Sequence, residues 1–343
     1  MLYIISLEPL ETRYTSQWQR WFKEKFPNSI EISGDTISEL NNSQNFLDPF
    51  QTNIWKSEQI IKLSKLFREN KINNGDKFLF LDAWHYGIIT LKYMASLGNK
   101  DIKIYGIWHA GSYDEWDLLG QKKLNYYFCD FEQSLFLCLD KSFVATNFHK
   151  NLILSKYKKI DSIYVTGFPY NFKELDKYVL KYPEIDKKED IVIFPHRLSK
   201  EKQPWILEEL QQDLFLNGIE CIFCQKEKLT KDEYHKLLAK SKIVFSASLQ
   251  ETWGIGTFEG LYLGCIPLVP DYLSYDEMYC NAYKYNHNLI LSNTSENKKE
   301  LLNLIINHIE NYNYLRIGME DNIERLKDKY CTFKNITKEI GEY

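Results

Sequence analysis

Residues 246–277, SASLQETWGIGTFEGLYLGCIPLVPDYLSYDE, constrain this chain more than any other stretch. They follow Ile243-Val244-Phe245, a β-branched and aromatic run that reads as a buried parallel strand. Gly254-Ile255-Gly256 then makes a turn, with Glu251 and Glu259 eight residues apart around it. A glycine turn that opens a helix leaves backbone N–H groups bare at the positive end of the helix dipole, which suits a phosphate. A carboxylate on that helix can accept hydrogen bonds from ribose hydroxyls, so the layout as a whole suits a sugar nucleotide. Gly264-Cys265-Ile266-Pro267 next ends the helix and starts another strand at Leu268-Val269.

Upstream, residues 191–194 read as a strand, and Phe194-Pro195-His196-Arg197-Leu198-Ser199-Lys200-Glu201-Lys202 follows at its end. This run, together with Glu251-x7-Glu259, Gly264-x-x-Pro267 and Glu277, resembles the nucleotide-sugar signature of GT-B glycosyltransferases. Within them it is most similar to the retaining enzymes of glycosyltransferase family four. The motifs cover residues 190–280, and the rest of the chain follows only in general layout.

The resemblance implies an α/β fold of GT-B type, two Rossmann-like domains facing across a cleft. Residues 1–170 would form the acceptor-side domain, 171–320 the nucleotide-sugar domain, and 321–343 a helical segment crossing back to the first. It implies that Arg197 and Lys202 grip the diphosphate of a nucleotide-diphosphate sugar donor, with UDP as the expected nucleotide. Two fixed cations and a helix N-terminus can neutralise a leaving diphosphate without a metal, and no Asp-x-Asp triplet occurs in the sequence. Glu259 would hold the ribose, Glu251 the donor-sugar hydroxyls, and the amides of Gly254, Ile255 and Gly256 the sugar or phosphate; Glu277 is given no role. Retention of anomeric configuration is carried over from the family alone.

Composition bounds the rest. With 343 residues, 44% hydrophobic and 15% aromatic, the chain has enough apolar surface for two ordinary domains. The longest apolar run at the start, Met1-Leu2-Tyr3-Ile4-Ile5, is too short for a signal peptide, and no eighteen-residue apolar run exists. A cytoplasmic protein without a membrane span is therefore expected, in the host cytoplasm if the gene is carried by a bacteriophage. Seven cysteines without regular spacing suit reduced thiols, and Cys221-x-x-Cys224, in a predicted strand, reads as buried thiols rather than a zinc or redox pair. The net charge of -4 gives no broad basic field. Residues 1–170 hold 20 Lys/Arg and 19 Asp/Glu, and the remainder 23 and 28.

In the first half, residues 2–7 read as a strand ending in a bulky, charged loop that contains Arg13, where family members carry a glycine-rich one. Residues 41–53 read as a long loop and 170–190 as a linker. Residues 77–81 read as a strand ending in Asp82-Ala83-Trp84-His85-Tyr86-Gly87. Asp82 there could orient or deprotonate an acceptor hydroxyl, or simply cap a helix, and Trp84 could stack on a sugar or base. A strand over 102–107 ends in Trp108-His109-Ala110-Gly111, and the resemblance puts His109 beside the reacting carbon.

The phrases SLEPLETRYT, LDAWHYG, WHAGSYD and ATNFH resemble glycosyltransferases encoded by bacteriophages, some of which modify hydroxymethylated pyrimidines in DNA. Such an acceptor base would be flipped out, with Trp84, Tyr86, Trp108 and Tyr113 available to stack on it. A carbohydrate or lipid-linked glycan acceptor stands beside this reading. So does a non-catalytic DNA- or glycan-binding module that keeps the GT-B shape.

Overall fold

The structure, a computed structural model, describes residues 1–10, 14–35, 48–121, 125–158, 160–181 and 187–341. Arg13 lies outside the described residues. The chain divides into one unit of Met1–Tyr170 with Thr332–Tyr343, and a second of Asn171–Cys331.

The first unit alternates strands and helices: β1 (Leu2–Ile5), α1 (Tyr14–Lys25), β2 (Ile30–Ile32), α2 (Pro49–Arg68), β3 (Lys77–Phe80), α3 (Gly87–Leu97), β4 (Lys103–Ile107), α4 (Asn125–Cys138), β5 (Lys141–Val144), α5 (Asn147–Lys156) and β6 (Ile163–Val165). Its strands are wholly parallel, in the order β2-β1-β3-β4-β5-β6. They read as continuous apolar runs because helices cover both faces, and Phe78, Phe80, Ile104 and Val144 have no exposed surface.

The second unit contains α6 (Lys173–Lys181), β7 (Glu189–Phe194), α7 (Pro204–Leu216), β8 (Glu220–Phe223), α8 (Lys231–Lys240), β9 (Ser241–Phe245), α9 (Ile255–Tyr262), β10 (Ile266–Pro270), α10 (Tyr275–Met278), β11 (Lys284–Tyr285), α11 (Ser295–Glu310), α12 (Tyr312–Leu315) and α13 (Met319–Tyr330). The sheet is again parallel, in the order β11-β10-β9-β7-β8. A last helix, α14 (Lys334–Ile340), packs on the first unit. Lys77 donates to the Ile340 carbonyl at 2.8 Å and Lys141 pairs with Glu339 at 2.9 Å.

Two expected segments differ. The linker expected over 170–190 contains α6, held by Tyr262 donating to Asp176 at 2.6 Å and by Tyr178 on His235, ring centroids 4.2 Å apart. Its charged outer face hides the apolar stripe from a reading by composition. The loop expected to 53 ends earlier. Asp48 caps α2, accepting from the N–H groups of Phe50 and Gln51, and Pro49 takes the first turn, where its missing N–H costs nothing. Thr146 to His149 are likewise a capped start of α5, since the Thr146 hydroxyl accepts from the His149 N–H.

Burial drives three histidines down to about 3: His85, where Lys56 adds to the effect, His149, and His196, where Lys202 adds to it. An unfolded histidine titrates near 6.5, so between those values the unfolded chain holds protons that the folded one lacks. Stability therefore falls as pH falls below about 6.5, by up to about 1.4 kcal/mol per pH unit for each residue. Urea unfolding at pH 7.5, 6.5 and 5.5 is expected to show the loss already at pH 5.5. An onset only below about pH 4.5 would assign acid unfolding to carboxylates instead.

Candidate functional site

In each sheet the first strand in sequence has its two successors on opposite sides. That places a topological switch point between β1 and β3 in the first unit and between β7 and β9 in the second. Ligands of open parallel sheets bind at the carboxyl ends of the strands flanking such a point.

In the second unit, Arg197 and Lys202 follow β7, and Glu251 and Gly254 follow β9. Lys202 is 6% exposed, its ammonium 3.1 Å from Glu251 and bonded to the Gln250 carbonyl. Burial, the largest single influence, pushes the Glu251 carboxyl up, but the Lys202 charge together with the hydrogen bonds from Lys202 and the Trp253 N–H holds the group below the usual range. Arg197 is one-third exposed and lies 2.7 Å from Glu201, and its Nε also donates to Ser199 at 3.1 Å. Both cations therefore carry carboxylate partners inside the unit.

Gly254 precedes α9 with φ of 81°, the left-handed region that favours glycine. A Cβ there would lie 2.7 Å from the Tyr275 ring, so this turn admits no side chain. The first intrahelical bond runs from Phe258 N–H to the Gly254 carbonyl, leaving the amides of Ile255, Gly256 and Thr257 ahead of it as end donors. A Cβ on Gly256 would sit 3.0 Å from Pro195 and 3.4 Å from the Tyr234 hydroxyl, so α9 begins directly against the end of β7. Glu259, on the next turn, is 6% exposed and lies 3.7 Å from His235; its charge helps raise the Tyr234 phenol, which burial raises first. Glu277 accepts from the Tyr330 hydroxyl at 2.8 Å.

In the first unit Asp82 leaves the end of β3, accepting from Lys56 at 3.0 Å and from the Trp84 N–H at 3.0 Å. Burial, the largest single influence, works against its charge, but the Lys56 charge together with the hydrogen bonds from Lys56 and the Trp84 N–H keeps the carboxyl low. Two residues beyond β4, the His109 Nε2 donates to the Leu81 carbonyl at 2.7 Å, which can only accept. Its Nδ1 is then the acceptor facing the Tyr14 hydroxyl at 3.2 Å. Burial lowers its pKa, so His109 is held as a neutral imidazole with both nitrogens engaged.

The two expected constellations thus sit at the carboxyl ends of their own sheets. Trp108 and Tyr113 do not offer stacking faces. They are 1% and 6% exposed, and Trp108 lies flat on Phe136 with centroids 4.0 Å apart. As residues of a strand-end loop they resemble Trp84 in sequence, and it is Phe136 of α4 that covers Trp108 and His149 of α5 that meets Tyr113. Trp84 and Tyr86 remain half-buried. Sequence reasoning missed the partners Lys56 and Glu201. Glu201 had a signal, standing four residues after Arg197; Lys56 had none, being one polar residue among several on α2. Cys221 and Cys224 are raised by burial to about 12, and among the described residues no group of three His, Cys, Asp or Glu is placed to hold a metal ion. Nor is any described helix long and apolar enough to cross a membrane.

The two parallel-sheet units define the GT-B glycosyltransferase fold, which solved structures share. Sucrose-phosphate synthase from Thermosynechococcus elongatus is similar with a TM-score of 0.62 and 11% identity, over 99% of this chain and 97% of that one. The UDP-forming α,α-trehalose-phosphate synthase from Burkholderia xenovorans, solved with glucose-6-phosphate, gives 0.61 and 8%, over 99% and 100%. In sequence, the chain is 27% identical over 159 residues to tRNA-queuosine α-mannosyltransferase of Drosophila melanogaster, covering 38% of this chain and 41% of that relative. The chain thus spans about two fifths of the curated relative's length. No protein-family model matches the sequence.

Proposed function

We propose that this protein is a glycosyltransferase moving a sugar from a nucleotide-diphosphate sugar, with UDP as the expected nucleotide, to a hydroxyl acceptor. One observation carries the reading. Lys202 and Glu251 meet across the β7/β9 switch point beside the bare amides that open α9, which puts cation, carboxylate and anion-binding N–H groups at one strand edge. Arg197 and Lys202 would take the charge of the leaving diphosphate, Glu259 the ribose, and Glu251 the donor-sugar hydroxyls. Diphosphate binding would exchange the Glu201 and Glu251 carboxylates for phosphate oxygens as partners of the two cations. Metal-independent transfer with retention follows from the family resemblance. Asp82 and His109 would serve the acceptor side: Asp82 as base or orienting group, with Lys56 fixing its charge, and His109 as a neutral, fixed wall close to the reacting carbon.

The acceptor reading is a hydroxyl on a modified nucleobase, in DNA 5-hydroxymethylpyrimidine. It is supported by the similarity to phage-encoded enzymes and by a curated relative named for a modified tRNA nucleoside. Half-buried Trp84 and Tyr86 would be the stacking faces. A carbohydrate acceptor is the second reading, favoured by neighbours named for sucrose phosphate and trehalose phosphate.

Thermal-shift measurements against a panel of nucleotide sugars are expected to show stabilisation by at least one UDP-sugar. Mass spectrometry of hydroxymethylated DNA, tRNA and oligosaccharides incubated with that donor should then show the added hexose or pentose on one class. A shift without transfer would favour the non-catalytic module, and no shift with any nucleotide sugar would overturn the donor site.

A further inference from the structure

Glu132 lies on α4 with no exposed surface, and among the described residues no Lys, Arg or His pairs with it. Four donors fill its two oxygens. Oε1 accepts from the Trp84 indole N–H at 2.6 Å and from the Ser112 backbone N–H at 2.6 Å. Oε2 accepts from the Ser112 hydroxyl at 2.7 Å and from the Tyr157 hydroxyl at 2.8 Å. The loop comes so close only because residue 111 is glycine; a Cβ there would be 2.5 Å from Oε1 and 2.5 Å from the Tyr113 ring. Burial raises the Glu132 carboxyl against the pull of these donors, and the Trp84 and Ser112 N–H groups can only donate to it.

The bonds from Trp84 and Ser112 lead to the residues at the strand ends. Trp84 gives its backbone N–H to Asp82 at 3.0 Å, and its carbonyl accepts from Lys56 at 2.6 Å, the same ammonium that pairs with Asp82. Ser112 closes the loop that begins at His109, whose Nε2 reaches back to Leu81, the residue before Asp82. One carboxylate thus ties the loop after β3 to the loop after β4 from beneath. An apolar residue would fill this space without the cost of desolvating a charge. A saturated network of this kind fixes a unique geometry instead.

We propose that Glu132 is a positioning residue for the acceptor side of the transfer reaction, setting the spacing of the Asp82–Tyr86 and His109–Tyr113 loops. The inference rests on the transferase reading above and acts through Asp82 and Trp84, with no contact between Glu132 and substrate.

Glu132→Gln keeps the volume but turns one acceptor oxygen into an NH2 group that faces two donors. Expected in this variant are a 10–100-fold lower kcat, a raised KM for acceptor, and donor KM and donor thermal shift within twofold of wild type. Trp84→Phe and Ser112→Ala, which each remove one donor, should move the same parameters in the same direction by smaller factors. Amide hydrogen exchange of residues 82–86 and 109–113 should be at least tenfold faster in Glu132→Gln. Wild-type kcat in Glu132→Gln, or a loss shared equally by donor binding, would overturn the proposal. If Glu132→Gln does not fold, wild-type rates in both Trp84→Phe and Ser112→Ala would do the same. A wild-type protein that transfers no sugar would remove the transferase reading instead. Hydrogen exchange then decides the clamp alone, unchanged protection of the two loops overturning it.

Discussion

Lys202→Ala is expected to destabilise the second unit by about 3 kcal/mol and to abolish stabilisation by any nucleotide sugar. The first effect follows from Glu251, whose side chain is 19% exposed and keeps its charge through Lys202. Removing the ammonium leaves a largely buried carboxylate without its cation, which costs more than the pair contributed. The second follows from the loss of the only described ammonium that lies within 4 Å of Glu251 at this strand edge. A double variant, Lys202→Met with Glu251→Gln, separates them. It should recover most of the stability, because neither charge is left buried alone, and none of the donor response. Urea unfolding and thermal shift of the three proteins check this. A retained donor shift in Lys202→Ala would move the diphosphate away from the β7/β9 edge.

Arg197→Ala should behave in the opposite way. Its side chain is one-third exposed and its partner Glu201 is on the same loop, so the ion pair contributes only about 0–1 kcal/mol to stability. For transfer, however, the guanidinium would be a fixed charge aimed at a leaving group, and removing such a group lowers kcat by about 10²–10³-fold. Arg197→Lys should recover little, because an ammonium cannot reproduce the two-pronged guanidinium contact with phosphate. Steady-state kinetics with the UDP-sugar found by thermal shift, alongside unfolding curves, give both readouts. A large stability loss with unchanged kcat would make Arg197 a structural residue.

Much of the fold was legible because local pattern and tertiary environment agree. Runs such as Lys77–Phe80 and Ile266–Pro270 are apolar on both faces, as strands buried between helices must be, and Gly254 and Gly264 mark turns where the backbone takes a positive φ. Where the two disagree the reading failed. The stripe of α6 is interrupted by charge, so the segment reads as a linker. Trp108 and Trp84 both stand after strand ends, yet α4 covers one with Phe136 and gives the other a carboxylate.

By itself, then, the sequence determined two parallel α/β sheets and the strand-end loops on which the candidate residues stand, because period, glycine turns and caps are local properties. Only the tertiary structure decided which groups meet across the fold: Lys202 with Glu251, Asp82 with Lys56, and Glu132 with four neutral donors. Those pairings depend on distances between strand ends and helices far apart in the chain. Each is settled by burial, which penalises any charge left without a partner.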